Sequence, residues 1–137
     1  MKNIFAYLIL AAAVISLSSC TTSLTGYKRQ SFPVTVRGGA KIILVQNYHI
    51  DGNCLHAGYP DIDVVEQPKH GRLEIVHQPV VVDTRGKSPK CDKLKVKGVV
   101  AYYTPERGYI GSDRLILKTP YEHGNIHEGT INVTVVR

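Results

Sequence analysis

The sequence predicts an all-β fold, an antiparallel sandwich of about seven strands in two sheets. Apolar and polar residues alternate repeatedly between residues 31 and 137, which is typical of strands that keep one face in water. Glycine, proline, asparagine and aspartate recur at short intervals between these stretches, as turns require. No stretch of this region has the spacing of an amphipathic helix.

Each predicted strand follows from its local sequence. Gly38-Gly39 ends the first strand, and the dense apolar run at 40–46 predicts a buried second strand. A turn is predicted before the fourth strand, because Pro68 fixes one φ and Gly71 supplies a positive one. The strands are predicted at residues 32–36, 40–46, 62–66, 72–77, 94–103, 114–118 and 130–136, and residues 80–83 either extend or pair with the fourth.

The alternation also predicts which side chains face the core. In the last two strands these are Leu115, Leu117, Ile131, Val133 and Val135. The main loops are predicted at residues 47–60, 83–92, 105–112 and 121–129.

The first nineteen residues are predicted to lie outside the fold. Lys2 gives a positive start, and residues 4–17 are apolar apart from Ser16. This stretch is shorter than the roughly 20 residues of a membrane-spanning helix, which indicates a secretory signal peptide. It ends in Leu17-Ser18-Ser19-Cys20, which resembles the bacterial lipobox, where the cysteine becomes the new N-terminus.

The lipobox resemblance implies a lipoprotein with a diacylglycerol thioether on Cys20 and an acylated amine, so that several acyl chains such as palmitate hold it at a membrane. Thr21 follows the cysteine, which resembles lipoproteins sorted to the outer membrane. We therefore expect an outer-membrane anchor and a domain that faces the periplasm or the cell surface. The expected parts are a signal peptide at 1–19, a lipidated N-terminus and polar tether at 20–30, and one domain at 31–137.

The chain after the leader retains two cysteines, Cys54 and Cys91. In an oxidising envelope such a pair usually forms a disulfide, and neither belongs to the Cys-x-x-Cys pair of a typical metal site. The closed loop of about 38 residues would stabilise the fold by roughly 4 kcal/mol.

Basic side chains outnumber acidic ones. Without Lys2, 16 lysines and arginines face 11 aspartates and glutamates, a net charge of +5 that favours anionic partners. Export argues against nucleic acid as a partner. The basic residues concentrate in one segment, which comprises Arg85, Lys87, Lys90, Lys93, Lys95 and Lys97.

This basic segment has two interpretations. Lys93, Lys95 and Lys97 are predicted to share one face of a strand, about 6–7 Å apart, where they could bind an anionic polymer, an acidic envelope protein or lipid headgroups. The alternative is a solvated strand face whose lysines discourage aggregation through the sheet edge.

Four motifs follow one another in the second half of the chain. They are a Pro-x-x-Gly turn at 68–71, Tyr-Thr-Pro at 103–105, an aromatic-x-Gly-x-Asp corner at 109–113 and an alternating strand at 131–135. This order resembles the bacterial cadherin-like and related immunoglobulin-like repeats. The resemblance implies an Ig-like sandwich and a tendency to bind or adhere, but no ligand or active site. Tandem copies and the acidic calcium-binding linkers of cadherins are absent from this sequence.

The residues of this pattern are expected to have structural roles. The ring of Tyr103 should be buried, with its hydroxyl bonded to nearby backbone. Gly108 and Gly111 should adopt backbone angles that a side chain would disfavour. The carboxylate of Asp113 should accept N–H bonds in the corner.

Metal binding and catalysis have little support. His123 and His127 have a metal-like spacing, but the glycine and asparagine between them predict a loop and no further ligand completes the set. Asp61 and Asp63 supply only part of a calcium shell. No nucleophile elbow or complete phosphate loop occurs. We therefore expect a non-enzymatic binding or scaffolding module without a cofactor, the alternative being a periplasmic protein that binds a metal or small ligand.

Overall fold

The computed structural model describes residues 26–120 and 124–137, which form seven strands in two sheets. The predicted all-β fold is confirmed. A 3₁₀ turn lies at Pro89–Cys91, and nothing in these ranges forms an apolar helix long enough to span a membrane. The strands are β1 (Tyr27–Arg37), β2 (Ile42–Asn47), β3 (Asp63–Glu66), β4 (Gly71–Val81), β5 (Lys95–Pro105), β6 (Gly111–Pro120) and β7 (Ile126–Val136).

The larger sheet has the order β1-β7-β6-β3, and the smaller one has the order β2-β5-β4. β1 runs parallel to β7, whereas every other pair is antiparallel. The prediction of a wholly antiparallel sandwich is therefore wrong for one pair. Parallel neighbours need a long crossover between them, and here the rest of the domain provides it.

The core lies between the two sheets and takes side chains from both. Ala101 and Tyr103 of β5 meet side chains of the larger sheet. The core-facing residues predicted for the last two strands are all buried, as are those that join them from β1 and β5. This buried cluster comprises Val36, Ala101, Tyr103, Leu115, Leu117, Ile131, Val133 and Val135.

The strand boundaries differ from the prediction at both termini of the domain. β1 begins at Tyr27, so residues 27–30, which were predicted as tether, pair with residues 126–129 of β7, which were predicted as loop. The predicted second strand is also less buried than its composition indicates. β2 is an edge strand, and the side chain of Ile43 is 52% exposed.

The registers place the start of β1 at one end of the sandwich. Tyr27 lies opposite Ile126, which in turn lies opposite Pro120. In the other sheet, Tyr103 near the end of β5 donates to Asp113, which lies near the start of β6 and so at the opposite end from Tyr27. The start of β5, where Lys95 pairs with Val81, therefore lies at the same end as Tyr27. We call the end with Tyr27 the proximal end and the end with Asp113 the distal end.

Candidate functional site

Two loops at the proximal end, residues 48–62 and 82–94, are joined by a disulfide. Cys54 and Cys91 are bonded with their Cα atoms 5.3 Å apart, as the sequence predicts. The ammonium group of Lys90 also donates to the carbonyl oxygen of Gly52 at 2.7 Å. We call this unit the proximal loops.

A third link joins the same loops through Tyr48. Its hydroxyl donates to the carbonyl oxygen of Asp83 at 2.8 Å and accepts the N–H of Asp83 at 3.0 Å. Within residues 48–62, Asp51 Oδ1 accepts the N–H groups of Asn53 at 2.8 Å and of Leu55 at 2.9 Å. Side-chain bonds to backbone thus supplement the isolated antiparallel bridge between Ile50 and His56 in this loop.

Residues 82–94 are held by a second network. The hydroxyl and the N–H of Thr84 both donate to Asp92 Oδ1 at 2.7 Å, and Thr84 Oγ1 accepts the N–H of Ser88 at 2.9 Å. The bond from the Thr84 hydroxyl, followed by the one from its N–H, lowers the pKa of Asp92. Asp83 Oδ1 accepts the N–H of Arg85 at 2.9 Å. Both acidic side chains of the segment therefore hold its backbone.

The proximal loops contain all three non-glycine residues with a positive φ in the described ranges. They are Cys54 at 64°, Arg85 at 54° and Lys93 at 68°. Such angles persist only where the surrounding structure imposes them, and they concentrate at functional sites. Two of the three carry basic side chains.

The six residues of the basic segment are all exposed. One part of their predicted arrangement is wrong, because β5 begins at Lys95 and Lys93 does not share a strand face with Lys95 and Lys97. The N–H of Lys93 donates to the carbonyl oxygen of Val82 from a left-handed conformation, which breaks the alternation before β5. Across the described residues, no carboxylate lies within 4 Å of the cationic groups of Arg85, Lys90, Lys93, Lys95 or Lys97.

Exposed apolar side chains lie among these basic residues. Leu55 follows the bridged Cys54 and is 63% exposed. Val81, opposite Lys95, is 47% exposed, and Leu94 is 45% exposed. The sequence pattern alone does not place Leu55 at this surface, because its loop is joined to residues 82–94 by the disulfide and by the hydrogen bonds of Tyr48 and Lys90.

An aromatic cluster borders the same end. The rings of Tyr59 and His77 stack at 4.0 Å, and His56 meets Tyr59 edge-on at 4.8 Å. Nδ1 of His56 donates to the carbonyl oxygen of Lys97 at 3.1 Å. The side chain of His77 is exposed and is not part of the core. Sequence reasoning misses this cluster, because Tyr59 and His77 come together only through the loop crossing.

The distal end is organised around the buried carboxylate of Asp113. Its oxygens accept the N–H groups of Lys69, His70 and Arg114 at 2.9–3.0 Å, so the predicted corner role is confirmed. They also accept the hydroxyl of Tyr103 at 2.9 Å. The prediction that this hydroxyl bonds to backbone is therefore wrong.

The pKa values of the two buried groups diverge. Burial raises the pKa of Asp113, but the hydrogen bonds from Lys69, Arg114, Tyr103 and His70 outweigh it and hold that pKa below its usual range. Burial, with the adjacent Asp113 carboxylate, raises the pKa of the Tyr103 hydroxyl. A carboxylate held by four donors is a structural anchor and not an available general base.

Gly71 serves this corner for a reason other than the predicted one. Its φ is not positive, whereas Gly108 and Gly111 do adopt positive φ values of 80° and 140°. A Cβ atom on Gly71 would lie 2.3 Å from Cε2 of Tyr103. The turn therefore needs glycine because the tyrosine ring packs directly against its backbone.

A surface groove of about 430 Å³ adjoins the corner. Its lining includes Lys69, His70, Asp113 and Arg114. The guanidinium of Arg114 lies 3.6 Å from a carboxylate oxygen of Glu66, and Asp113 is fully bonded. We therefore regard the groove as part of the corner and not as a separate ligand site.

The proposed metal ligands are only partly described. His123 lies outside the described residues, and His127 belongs to β7 opposite Lys28 and Thr119. Asp61 and Asp63 are both exposed. Residues 26–120 and 124–137 contain no group of three or more histidine, cysteine, aspartate or glutamate side chains that could hold a metal ion.

Comparison of the chain with protein-family models, curated proteins and solved structures finds no significant match.

Proposed function

We propose that this protein is a non-enzymatic, lipid-anchored module of the bacterial cell envelope that binds an anionic envelope component. The observation that carries the proposal is the basic segment, which lies on the proximal loops and the start of β5. Its side chains are exposed, five of the six have no carboxylate partner among the described residues, and the backbone beneath them is fixed by the disulfide.

The rigidity of this surface supports binding. A flexible basic loop would lose conformational entropy when it met its partner, which weakens affinity. Here the disulfide, the Thr84–Asp92 bonds and the Tyr48–Asp83 bonds order the loops in advance. Unpaired cations on such a frame attract anionic groups without first breaking an ion pair.

The strand order supports an Ig-like binding module. In a seven-strand immunoglobulin sandwich, strands B, E and D are neighbours in one sheet and strands C, F and G in the other. Here β2-β5-β4 and β3-β6-β7 have the corresponding orders, and β1 joins the edge of the larger sheet. Such sandwiches commonly bind ligands with the loops at one end.

The lipid anchor is tested by a Cys20→Ser substitution. We expect the wild-type protein to remain with the membrane after a carbonate wash and the variant to be released, because its acyl chains are missing. A variant that stays membrane-bound after the wash would refute the anchor.

The binding surface is tested by in-cell cross-linking of the tagged, lipidated protein, followed by affinity purification and mass spectrometry of proteins, glycans and lipids. We expect one dominant envelope component, whose recovery falls at least about tenfold in a Lys93→Glu, Lys95→Glu, Lys97→Glu variant. The matched control reverses three exposed basic residues at the distal end, Arg37, Lys69 and Arg107, and so changes net charge equally.

The two variants separate a local site from a general charge effect. Retained recovery in the control with loss in the first variant would support the proximal loops as the binding surface. Equal recovery from both variants, or equal loss, would contradict it.

A further inference from the structure

We infer that the partner of the basic segment is the anionic headgroup surface of the bilayer that holds the Cys20 lipid. The proximal loops would then lie flat on their own membrane and fix the orientation of the domain. This inference rests on the lipid anchor and on the basic binding surface, both of which belong to the proposed function.

The covalent tether limits where the membrane can lie. Cys20 and Tyr27 are seven residues apart in the sequence, and an extended chain spans at most about 3.3–3.6 Å per residue. Tyr27 therefore lies within about 25 Å of the lipidated residue. Strand β1 starts at Tyr27, so the proximal end is held near the bilayer.

The length of the sandwich shows which loops can reach the membrane. β1 has 11 residues and rises about 3.3 Å per residue, so Arg37 lies roughly 33 Å from Tyr27. The tether is shorter than this strand. The proximal loops, which share the Tyr27 end, are thus the loops that the tether presents to the membrane.

The surface chemistry favours lipid over a soluble anionic polymer. Lys90, Lys93 and Lys95 supply positive charges that attract phosphate groups, and each such charge adds to the free energy of binding to an anionic membrane. Leu55 and Leu94 expose aliphatic side chains in the same loops. A hydrophilic polymer would not bury these leucines, whereas the boundary between headgroups and acyl chains accommodates basic and apolar side chains together.

Some basic side chains toward the distal end have carboxylate partners, whereas Arg37, Lys69 and Arg107 have none among the described residues. Lys41 and Arg72 both contact Glu74, with nitrogen–oxygen distances of 2.6 and 3.1 Å, and Arg114 lies near Glu66. These basic groups are already paired within the domain. A measurement that compares lysines at the two ends therefore reports orientation directly.

The experiment is amine acetylation of the lipidated full-length mature protein, read by mass spectrometry at each lysine. It is carried out in detergent, in phosphatidylcholine vesicles and in vesicles that contain about 30% phosphatidylglycerol. We expect Lys93, Lys95 and Lys97 to react about fivefold more slowly in the anionic vesicles than in detergent. Lys41 and Lys69 at the distal end should change less than twofold.

A Leu55→Ser, Leu94→Ser variant tests the apolar contribution. It remains anchored through Cys20, so we expect it to sediment with the vesicles while the protection of Lys93 and Lys95 falls by at least half. Equal protection of the proximal and distal lysines, or no protection at either end, would overturn the inference.

Failure of the inference is distinguishable from failure of the proposed function. If the proximal lysines react freely on anionic vesicles but the cross-linked partner still depends on Lys93, Lys95 and Lys97, the membrane is not the partner and the binding module stands. If the lysines react freely and no partner depends on them, both proposals are wrong.

Discussion

The two ends of the sandwich are closed by different chemistry. At the distal end, one buried carboxylate accepts four hydrogen bonds and pins the turn before β4 to the start of β6. At the proximal end, a disulfide and bonds from exposed side chains fix two long loops. The carboxylate of Asp113 is thus fully hydrogen-bonded inside the fold.

This difference separates a structural region from a candidate binding region. The chemically conspicuous residues of the distal end, Tyr103 and Asp113, satisfy each other and the backbone. Five of the six side chains of the basic segment project from an ordered frame and have no carboxylate partner in the described part of the chain. The shifted pKa values of Asp113 and Tyr103 therefore reflect contacts that hold the fold.

Removal of the disulfide should have the largest effect on stability. In a Cys54→Ala, Cys91→Ala variant we expect the free energy of unfolding to fall by about 4 kcal/mol, because the unfolded chain loses a long closed loop. Urea denaturation measures the change, with reduced wild-type protein as the control. A midpoint equal to that of the oxidised wild type would show that the hydrogen bonds alone hold the proximal loops.

Loss of the buried carboxylate should come next. Asp113→Ala leaves three N–H groups and the Tyr103 hydroxyl without an acceptor, which we expect to cost about 3 kcal/mol of unfolding free energy. The control is Asp61→Ala, an exposed aspartate that should change stability by less than about 0.5 kcal/mol. Equal urea midpoints for the two variants would contradict the corner as a stabilising network.

The glycine of the distal turn should have a smaller effect. A Gly71→Ala side chain would overlap the ring of Tyr103, and we expect about 2 kcal/mol of destabilisation by overpacking. Gly52→Ala is the matched control, because its added Cβ meets no atom within 4 Å. If both variants unfold at the wild-type midpoint, the ring does not require glycine there.

Local patterns predict local structure in this chain. Alternation places Leu115 and Val133 in the core, and two cysteines in a domain that is expected to be exported predict a disulfide. Contacts between segments that are distant in the sequence are not predicted by any local pattern. Nothing in residues 27–30 indicates a parallel partner in β7, and nothing near Gly71 indicates that the ring of Tyr103 lies beside it.

The basic segment shows the same limit within one stretch. Its charge is visible in the sequence, and its exposure follows from that charge. The left-handed backbone of Lys93 is not predictable from alternation, because it results from pairing with Val82 and from the neighbouring bridge at Cys91. Leu94 belongs to the same stretch as the basic residues, whereas Leu55 joins this surface through the disulfide and the hydrogen bonds that link the two loops.

Acid should weaken the distal corner. The folded-state pKa of Asp113 is below its usual value, so its contribution is complete above the unfolded pKa, which is about 3.9. It is lost as pH falls through the folded pKa. We expect urea midpoints of wild type to decline more steeply below pH 4 than those of Asp113→Asn. Parallel curves would contradict the linkage.

Substitutions in the basic segment should change the free energy of unfolding very little. Lys95→Gln removes an exposed charge that has no described partner, and we expect the free energy of unfolding to change by less than about 0.5 kcal/mol. Lys90→Gln is the informative comparison, because Lys90 also donates to the carbonyl oxygen of Gly52 and should cost slightly more, up to about 1 kcal/mol. Urea denaturation of both proteins measures the difference. A large loss from Lys95→Gln would mean that this lysine stabilises the fold, and the contrast between a structural distal end and a binding proximal end would fail.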